Sequence, residues 1–266
     1  MSVIISGTGI YTPPQKITNK ELVKSFNTYV DSYNQKNREA IEKGSLEELT
    51  YSNVEFIEKV SGIKSRYVLD KEGILDPDRM RPSLKERSNE DISIQAEIAV
   101  SACKKAIQES TKSIEDIDAV ICACANLQRA YPAIAIEIQN KLGIEGYAYD
   151  MNVACSSSTF GVHNGVSDIE SGLASCILVV SPEICSGHLN FKDRDGHFIF
   201  GDVCTAVLLE DGDNNNTSGF KIIGTKLKTV FSNNIRNNFG FLNTSESTDL
   251  ISADKLFIQD GRKVFR

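Results

Sequence analysis

The middle of the chain alternates between two hydrophobic periods. Apolar residues recur at helical spacing over 93–110 and 133–142, and continuous apolar runs typical of buried strands lie at 117–125 and 174–180. Helices and strands therefore follow one another through this part of the sequence. This succession predicts an α/β domain built in layers around a largely parallel sheet.

One stretch, 147–160 (YAYDMNVACSSSTF), joins a strand pattern to a helix pattern. Side chains alternate up to Val153, and a helical stripe starts at Phe160. Cys155 lies between them, at a predicted helix N-terminus, where free N–H groups and the helix dipole favour a thiolate. A thiolate is the nucleophilic form of cysteine, so we predict that Cys155 is a nucleophile. The alternative is a buried structural cysteine, which we expect the other six cysteines to be.

The flanking regions are less regular. Asn19 is expected to cap a helix, and a helix at 54–60 is expected to end at Gly62, a residue suited to the left-handed position after a helix. The remaining predicted elements are a strand at 3–10, a polar helical insertion at 31–52, a surface loop at 70–91 and strands at 198–200 and 206–209.

A polar run at 211–218 (DGDNNNTS) predicts a linker. The segment after it, FKIIGTKLKT at 220–229, resembles VIISGTGIYT at 3–12, which is weak evidence of an internal duplication. We therefore predict two domains, 1–212 and 213–266. The second would be the start of a half that is incomplete in this chain.

Composition narrows the class of protein. A net charge of −7 over 266 residues argues against nucleic acid as a partner. No apolar run is long enough to span a membrane, and the first residues lack the features of a signal peptide. Seven cysteines within strand-like or helical patterns indicate reduced thiols, which predicts a cytoplasmic protein.

Three short motifs are only weak indications of a binding site. Gly7-Thr8-Gly9 lacks the third glycine of a dinucleotide fingerprint, and prolines follow where its helix would begin. Cys122 and Cys124 have no second pair at metal-ligand spacing, so we predict no metal site. The basic stretch 64–67 has two interpretations, a solvated loop or a contact for an anionic ligand such as a phosphate.

Several segments, in order, resemble the β-ketoacyl-ACP synthase III family of the thiolase superfamily. The insertion at 31–52, the sequence ACSSSTFG and the run 232–242 are most similar to its β-ketodecanoyl-ACP synthase branch, which is known for medium-chain primers. The matching motifs are 150–156 (DMNVACS), 61–66 (SGIKSR), 130–132 (AYP), 200–202 (FGD) and 261–265 (GRKVF).

The resemblance implies a thiolase-like layered α-β-α-β-α fold, with its N-terminal half complete and its C-terminal half truncated. It also implies an acyltransferase of fatty acid biosynthesis. The cysteine takes an acyl group from acyl-CoA, and a His and an Asn of the second half then help malonyl-ACP lose CO₂, so that the carbanion attacks the acyl-enzyme. No metal or redox cofactor is required, and the expected partners are acyl-CoA, acyl carrier protein and a second copy in a homodimer.

The same resemblance assigns the site residues. Cys155 would be catalytic, Ser61 and Arg66 would contact substrate, and Tyr131 would line the acyl pocket of the partner subunit. Phe56 stands where the family has a tryptophan at the CoA entrance, since this chain has no tryptophan. A basic residue of the family is also replaced, by Val60, and both departures fit a different primer.

The catalytic His and Asn motifs of the family would lie beyond residue 266. His163 is eight residues from Cys155, about 12 Å by helical rise, and is expected to be a surface or hydrogen-bonded histidine, as are His188 and His197. We therefore expect this chain to accept an acyl group without condensing it. The alternatives are a non-catalytic thiolase-like subunit that dimerises or binds a partner, and a cysteine hydrolase, which lacks the expected His and Asp companions.

Overall fold

The computed structural model describes residues 2–212, 218–240, 242, 245 and 255–264. Most of the predicted linker, residues 213–217, lies outside the described residues, and so does Phe265 of the 261–265 motif. The run 232–242 is described except for residue 241.

Strands and helices alternate as the hydrophobic pattern predicts. The described strands are β1 Val3–Tyr11, β2 Gln15–Thr18, β3 Ser65–Val68, β4 Ala119–Ala123, β5 Tyr147–Met151, β6 Cys176–Ile184, β7 Asp202–Asp211, β8 Phe220–Lys221, β9 Ile235–Asn237 and β10 Phe257–Gln259. The described α-helices are α1 Asn19–Lys36, α2 Arg38–Glu42, α3 Val54–Ser61, α4 Lys71–Leu75, α5 Ile94–Glu109, α6 Ile134–Leu142, α7 Ser157–Glu170 and α8 Gly261–Val264.

Six strands form the main sheet, in the order β5-β4-β6-β7-β1-β8. Strand β4 is parallel to both β5 and β6, which confirms the parallel arrangement predicted for this part of the chain. Strand β1 pairs antiparallel with β7 and β8, so the sheet as a whole is mixed. The carboxyl ends of β5, β4 and β6 meet at one edge, which is where open α/β sheets usually place their ligands.

Helix α7 packs closely on this sheet. Its apolar residues Val166 and Ile169 join a buried cluster with alternate residues of the strands, such as Ile121 and Val179. A Cβ on Gly161 would lie 2.8 Å from the Cβ of Ala123, so glycine allows the helix to approach. The position of α7, and of the turn that leads into it, is therefore fixed by core packing.

Helix α5 approaches β1 even more closely. A Cβ on Gly7 would lie 2.0 Å from the carbonyl oxygen of Ala106, and a Cβ on Gly9 would lie 1.9 Å from that of Ala102. Neither distance is compatible with a side chain. The glycines of the Gly-Thr-Gly segment are thus explained by helix packing on a strand.

A second compact unit comprises Pro13–Lys85, Ile184–Asp202 and Val230–Arg266. Its core is formed by apolar side chains of α1, α3, α4, β2, β3 and the segment after β6, among them Phe26, Ile57 and Phe191. The first unit comprises Met1–Thr12, Glu86–Glu183 and Val203–Thr229. Each unit contains residues from both sides of the predicted boundary at 212/213, and that boundary stays a prediction.

Three local expectations were wrong. Thr18, not Asn19, caps α1, because its hydroxyl accepts from the Glu21 N–H while the Glu21 carboxylate accepts from the Thr18 N–H. The predicted loop 70–91 contains helix α4 and the buried Met80. Residues 198–200 form no strand, since β7 begins only at Asp202.

Candidate active site

Cys155 lies in the turn between β5 and α7, where the sequence placed it. The residue before it, Ala154, has φ +48°, a left-handed conformation that residues with a Cβ rarely adopt. Such a conformation costs about 1–3 kcal/mol and persists only where the surroundings enforce it. The turn is therefore strained directly beside the sulfur.

Two side chains hold this turn. The Asn152 Oδ1 accepts from the Ala154 N–H at 2.8 Å, and its Nδ2 donates to the Ala125 carbonyl at 2.7 Å. The Ser157 hydroxyl accepts from the Val153 N–H at 2.9 Å and donates to the Ala154 carbonyl at 2.7 Å. The two hydrogen-bonding groups of the strained residue are thus both satisfied locally.

The sulfur is accessible. Cys155 is exposed, and it precedes the first helical residue of α7 by two positions. The Ser156 side chain makes no capping hydrogen bond, so it does not occupy the N–H groups of the first turn. A thiolate here would stand at the positive end of the helix, beside donors that could stabilise a developing oxyanion.

The other cysteines are in different surroundings. Five of them are buried and Cys185 is partly buried. Burial raises the pKa of the Cys103 and Cys176 thiols to about 12, and raises those of Cys122 and Cys204 well above the ordinary value. Buried thiols with raised pKa are unreactive, which agrees with the structural role predicted for them.

Tyr131 lies in the loop between β4 and α6, and its side chain is 85% exposed. The Asp150 carboxylate, at the end of β5, accepts from the N–H groups of Ile134 and Ala135, both at 2.8 Å. Asp150 thereby ties the start of α6 to the strand that leads to Cys155. Tyr131 and Cys155 both follow carboxyl ends of adjacent parallel strands.

Phe56 belongs to the second unit and packs in its core next to Phe198. The Arg194 guanidinium lies over the Phe56 ring at 4.3 Å from the centroid, a cation–π contact. Its Nε donates to the Tyr51 carbonyl at 2.8 Å. Arg194 was not among the predicted site residues, and only its place in a charged loop pointed to it.

Ser61 and Arg66 have structural partners in the same unit. The Ser61 hydroxyl donates to the Ile57 carbonyl at 2.6 Å. Arg66 is buried, its Nη2 donates to Asn19 Oδ1 at 2.6 Å, and burial lowers its pKa to about 10. Its Nε has no hydrogen-bond partner among the described residues. Substrate contacts by Phe56, Ser61 and Arg66 stay predictions.

Each of the three histidines contacts other residues of its own unit. His163, on α7, shares a hydrogen bond with the Thr225 hydroxyl at 3.0 Å. His188 packs against the rings of Phe200 and Phe257, and burial lowers its pKa to about 4. His197 is fully buried and stacks on Phe26.

His197 gives the fold a dependence on pH. Its Nδ1 faces the carbonyl oxygens of Asp193 and Arg194 at 3.1 and 2.9 Å, so Nδ1 carries the proton of the neutral ring. Burial lowers the pKa to about 4, from an ordinary value near 6.5. Between these two pKa values the unfolded chain therefore binds more protons than the folded chain. The contribution of His197 to stability is complete above the ordinary pKa and is lost as pH falls toward the folded pKa.

We expect His197→Gln to remove that dependence. Between neutral pH and pH ~4, the unfolding free energy of the parent should fall by roughly 3 kcal/mol more than that of the variant, since each pKa unit is worth about 1.4 kcal/mol. Urea unfolding at both pH values measures it. Equal pH dependence in the two proteins would contradict the assignment, whatever their difference at neutral pH.

The Cys155 turn lies in a segment that this chain shares with known proteins. The family model described as 3-Oxoacyl-[acyl-carrier-protein (ACP)] synthase III matches residues 149–230. Beta-ketodecanoyl-[acyl-carrier-protein] synthase of Pseudomonas aeruginosa is 59% identical over 245 residues, which are 92% of this chain and 70% of that protein. The chain belongs to the β-ketoacyl-ACP synthase III family. Members of this family are acyltransferases, and the resemblance seen at residues 150–156 is confirmed.

Other members of the β-ketoacyl-ACP synthase III family show how much of the fold is shared. The enzyme of Granulibacter bethesdensis is 25% identical, with 99% of this chain and 67% of that protein aligned. The crystal structure of synthase III from Pseudomonas aeruginosa, 20% identical, superposes with a TM-score of 0.72 over 100% of this chain and 66% of that one. The likeness confirms the predicted thiolase-like α/β fold. All three relatives are longer than this chain.

Two further observations concern the described part of the chain. No helix there combines the length and apolarity needed to cross a bilayer. No three His, Cys, Asp or Glu side chains in it are grouped to hold a metal ion. The absence of a metal or redox cofactor stays a prediction.

Proposed function

We propose that the protein transfers an acyl group from acyl-CoA to Cys155, the first half-reaction of a β-ketoacyl-ACP synthase III. The observation that carries this proposal is the exposed sulfur on a strained strand-to-helix turn, at the carboxyl ends of the parallel strands of the main sheet. In a member of this family, that placement suits a nucleophile presented to a thioester.

The chemistry of this step requires few groups. The Cys155 thiolate attacks the thioester carbonyl, and the electrons of the C=O bond move to oxygen as the tetrahedral intermediate forms. The intermediate then expels the CoA thiolate, which takes up a proton from water. N–H groups at the start of α7 are the candidate donors to the oxyanion.

The second half-reaction would consume malonyl-ACP. Loss of CO₂ leaves the electron pair of the broken C–C bond on a carbanion that attacks the acyl-enzyme, and hydrogen-bond donors must stabilise the enolate form of this carbanion. Of the three histidines, His188 and His197 are enclosed in the second unit and His163 is bonded to Thr225. We therefore propose that this chain by itself accepts the acyl group and does not condense it.

A medium-chain primer is the substrate class we propose. The relative that is 59% identical is named for a β-ketodecanoyl product. Extension of an octanoyl primer by the two-carbon unit of malonyl-ACP gives that product. The Arg194 guanidinium, which lies over the Phe56 ring, is a group suited to a CoA nucleotide, since guanidinium groups bind phosphates and stack on aromatic rings.

The proposed partners are acyl carrier protein and a second copy of this chain. Strand β5 is at one edge of the main sheet, so its outer side can pair with another strand. Tyr131, in the loop between β4 and α6, is an exposed aromatic residue of the kind common in interfaces. Seven free cysteines support a cytoplasmic setting as part of this proposal.

Incubation with octanoyl-CoA tests the proposal. We expect release of free CoA and one covalent octanoyl group per chain by intact mass, and no β-ketoacyl-ACP when malonyl-ACP is added. Rapid product formation would contradict the second part. No adduct would contradict the first, and would favour a thiolase-like subunit that binds partners without catalysis.

A further inference from the structure

We propose that Ser157 is a positioning residue for acyl transfer. Its hydroxyl stabilises the left-handed conformation of Ala154 and thereby sets the position of the Cys155 sulfur. The inference rests on the acyl transfer proposed above and adds a residue that does not itself contact the substrate.

The geometry of the hydroxyl is specific. Ser157 is 1% exposed, so its bonds face no competition from water. Its Oγ accepts from the Val153 N–H and donates to the Ala154 carbonyl, which also accepts from the Ser157 N–H at 3.1 Å. One side chain thus bonds the peptide group between Asn152 and Val153 and the peptide group between Ala154 and Cys155.

The Ser157 hydrogen bonds support the backbone at the strained residue, Ala154. Ala154 has a Cβ and a φ of +48°, and the neighbouring Asn152 bonds only the N–H of that residue. Without the Ser157 hydroxyl, the Ala154 carbonyl keeps one backbone donor and the Val153 N–H loses its acceptor. The peptide between Ala154 and Cys155 is then free to rotate toward an unstrained conformation.

Rotation of that peptide would move the sulfur relative to α7. Acyl transfer depends on the distance and direction from the nucleophile to the carbonyl, and a displacement of about 1 Å can lower a rate by about a hundredfold. Binding of acyl-CoA depends on other contacts. Loss of the hydroxyl should therefore lower the rate of acylation at saturating acyl-CoA much more than it changes the half-saturating concentration of acyl-CoA.

The test compares Ser157→Ala with Ser158→Ala, an adjacent and exposed serine on the same helix. In each variant, iodoacetamide labelling of Cys155 measures the amount of folded protein that has a reactive thiol. We expect Ser157→Ala to acylate with octanoyl-CoA roughly tenfold to a hundredfold more slowly at saturation, with half-saturation nearly unchanged. Ser158→Ala should match the parent. Equal rates in the parent and Ser157→Ala would overturn the proposal.

A second variant tests the link to Ala154. Glycine adopts positive φ without strain, so Ala154→Gly combined with Ser157→Ala should recover most of the lost rate. A general loss of packing would not be repaired by a glycine. A double variant as slow as Ser157→Ala alone would overturn the proposed mechanism of positioning.

Amide exchange separates this inference from the proposed function. In the folded protein the Val153 N–H is bonded to Ser157 Oγ, so Ser157→Ala should accelerate its exchange severalfold even if no acyl group is ever transferred. If the parent takes no acyl group, the proposed function fails while this measurement still reports on the turn. Unchanged exchange at Val153 would overturn the inference by itself.

Discussion

Cys155→Ala is expected to abolish acylation. Loss of a catalytic nucleophile costs at least about a thousandfold in rate, because the thioester intermediate can no longer form. The five buried cysteines have no access to a thioester, and burial raises the pKa of four of them. The measurement is release of free CoA from octanoyl-CoA, with intact mass as a second readout.

Cys185→Ala is the matched control for this experiment. Cys185 is the other cysteine with some exposure, and it lies in the second unit. Its substitution should leave acylation within about twofold of the parent, since the proposed chemistry uses only the Cys155 sulfur. Acylation that survives Cys155→Ala and disappears with Cys185→Ala would refute the assignment of the nucleophile.

Gly9→Ala is expected to have the largest effect on stability. Its new Cβ would lie 1.9 Å from the Ala102 carbonyl oxygen and 2.8 Å from the Ala106 nitrogen, and both are backbone atoms of α5. No side-chain rotation relieves such a contact, so α5 or β1 must move. We expect a loss of roughly 2–4 kcal/mol in unfolding free energy, which urea unfolding measures.

Gly224→Ala in the same unit provides the comparison. A Cβ there would meet no atom within 4 Å, and its φ is not in the left-handed region. This substitution should change the free energy of unfolding by less than about 0.5 kcal/mol. Similar unfolding midpoints for Gly9→Ala and the parent would show that α5 does not approach β1 as described.

The hydrophobic pattern predicted the central elements well because packing there is periodic. Gly62 ends α3 in the left-handed conformation, as predicted, and Gly143 ends α6 in the same way. The pattern failed where side chains outside the periodic stripe decide the structure. Helix α4 is an example, because the Asp70 side chain caps it within a charged, proline-containing stretch.

The candidate site was predicted only in part. The place of Cys155 followed from the change from strand-like alternation to helical spacing of the apolar residues. The left-handed conformation of Ala154 did not follow from the sequence, since nothing about an alanine predicts positive φ. Asn152 and Ser157 flank the cysteine, and residues of these types often bond nearby backbone, so they were a usable signal. The partners of Arg66 and Arg194 depend on distant segments and could not be inferred.

Cys155 alone is expected to carry the acyl group. After reaction with octanoyl-CoA, proteolysis at mildly acidic pH and mass spectrometry of the peptides locate the thioester among the seven cysteines. We expect the octanoyl group on the peptide that contains Cys155 and on no other. An octanoyl group on a different cysteine, or on none, would contradict it.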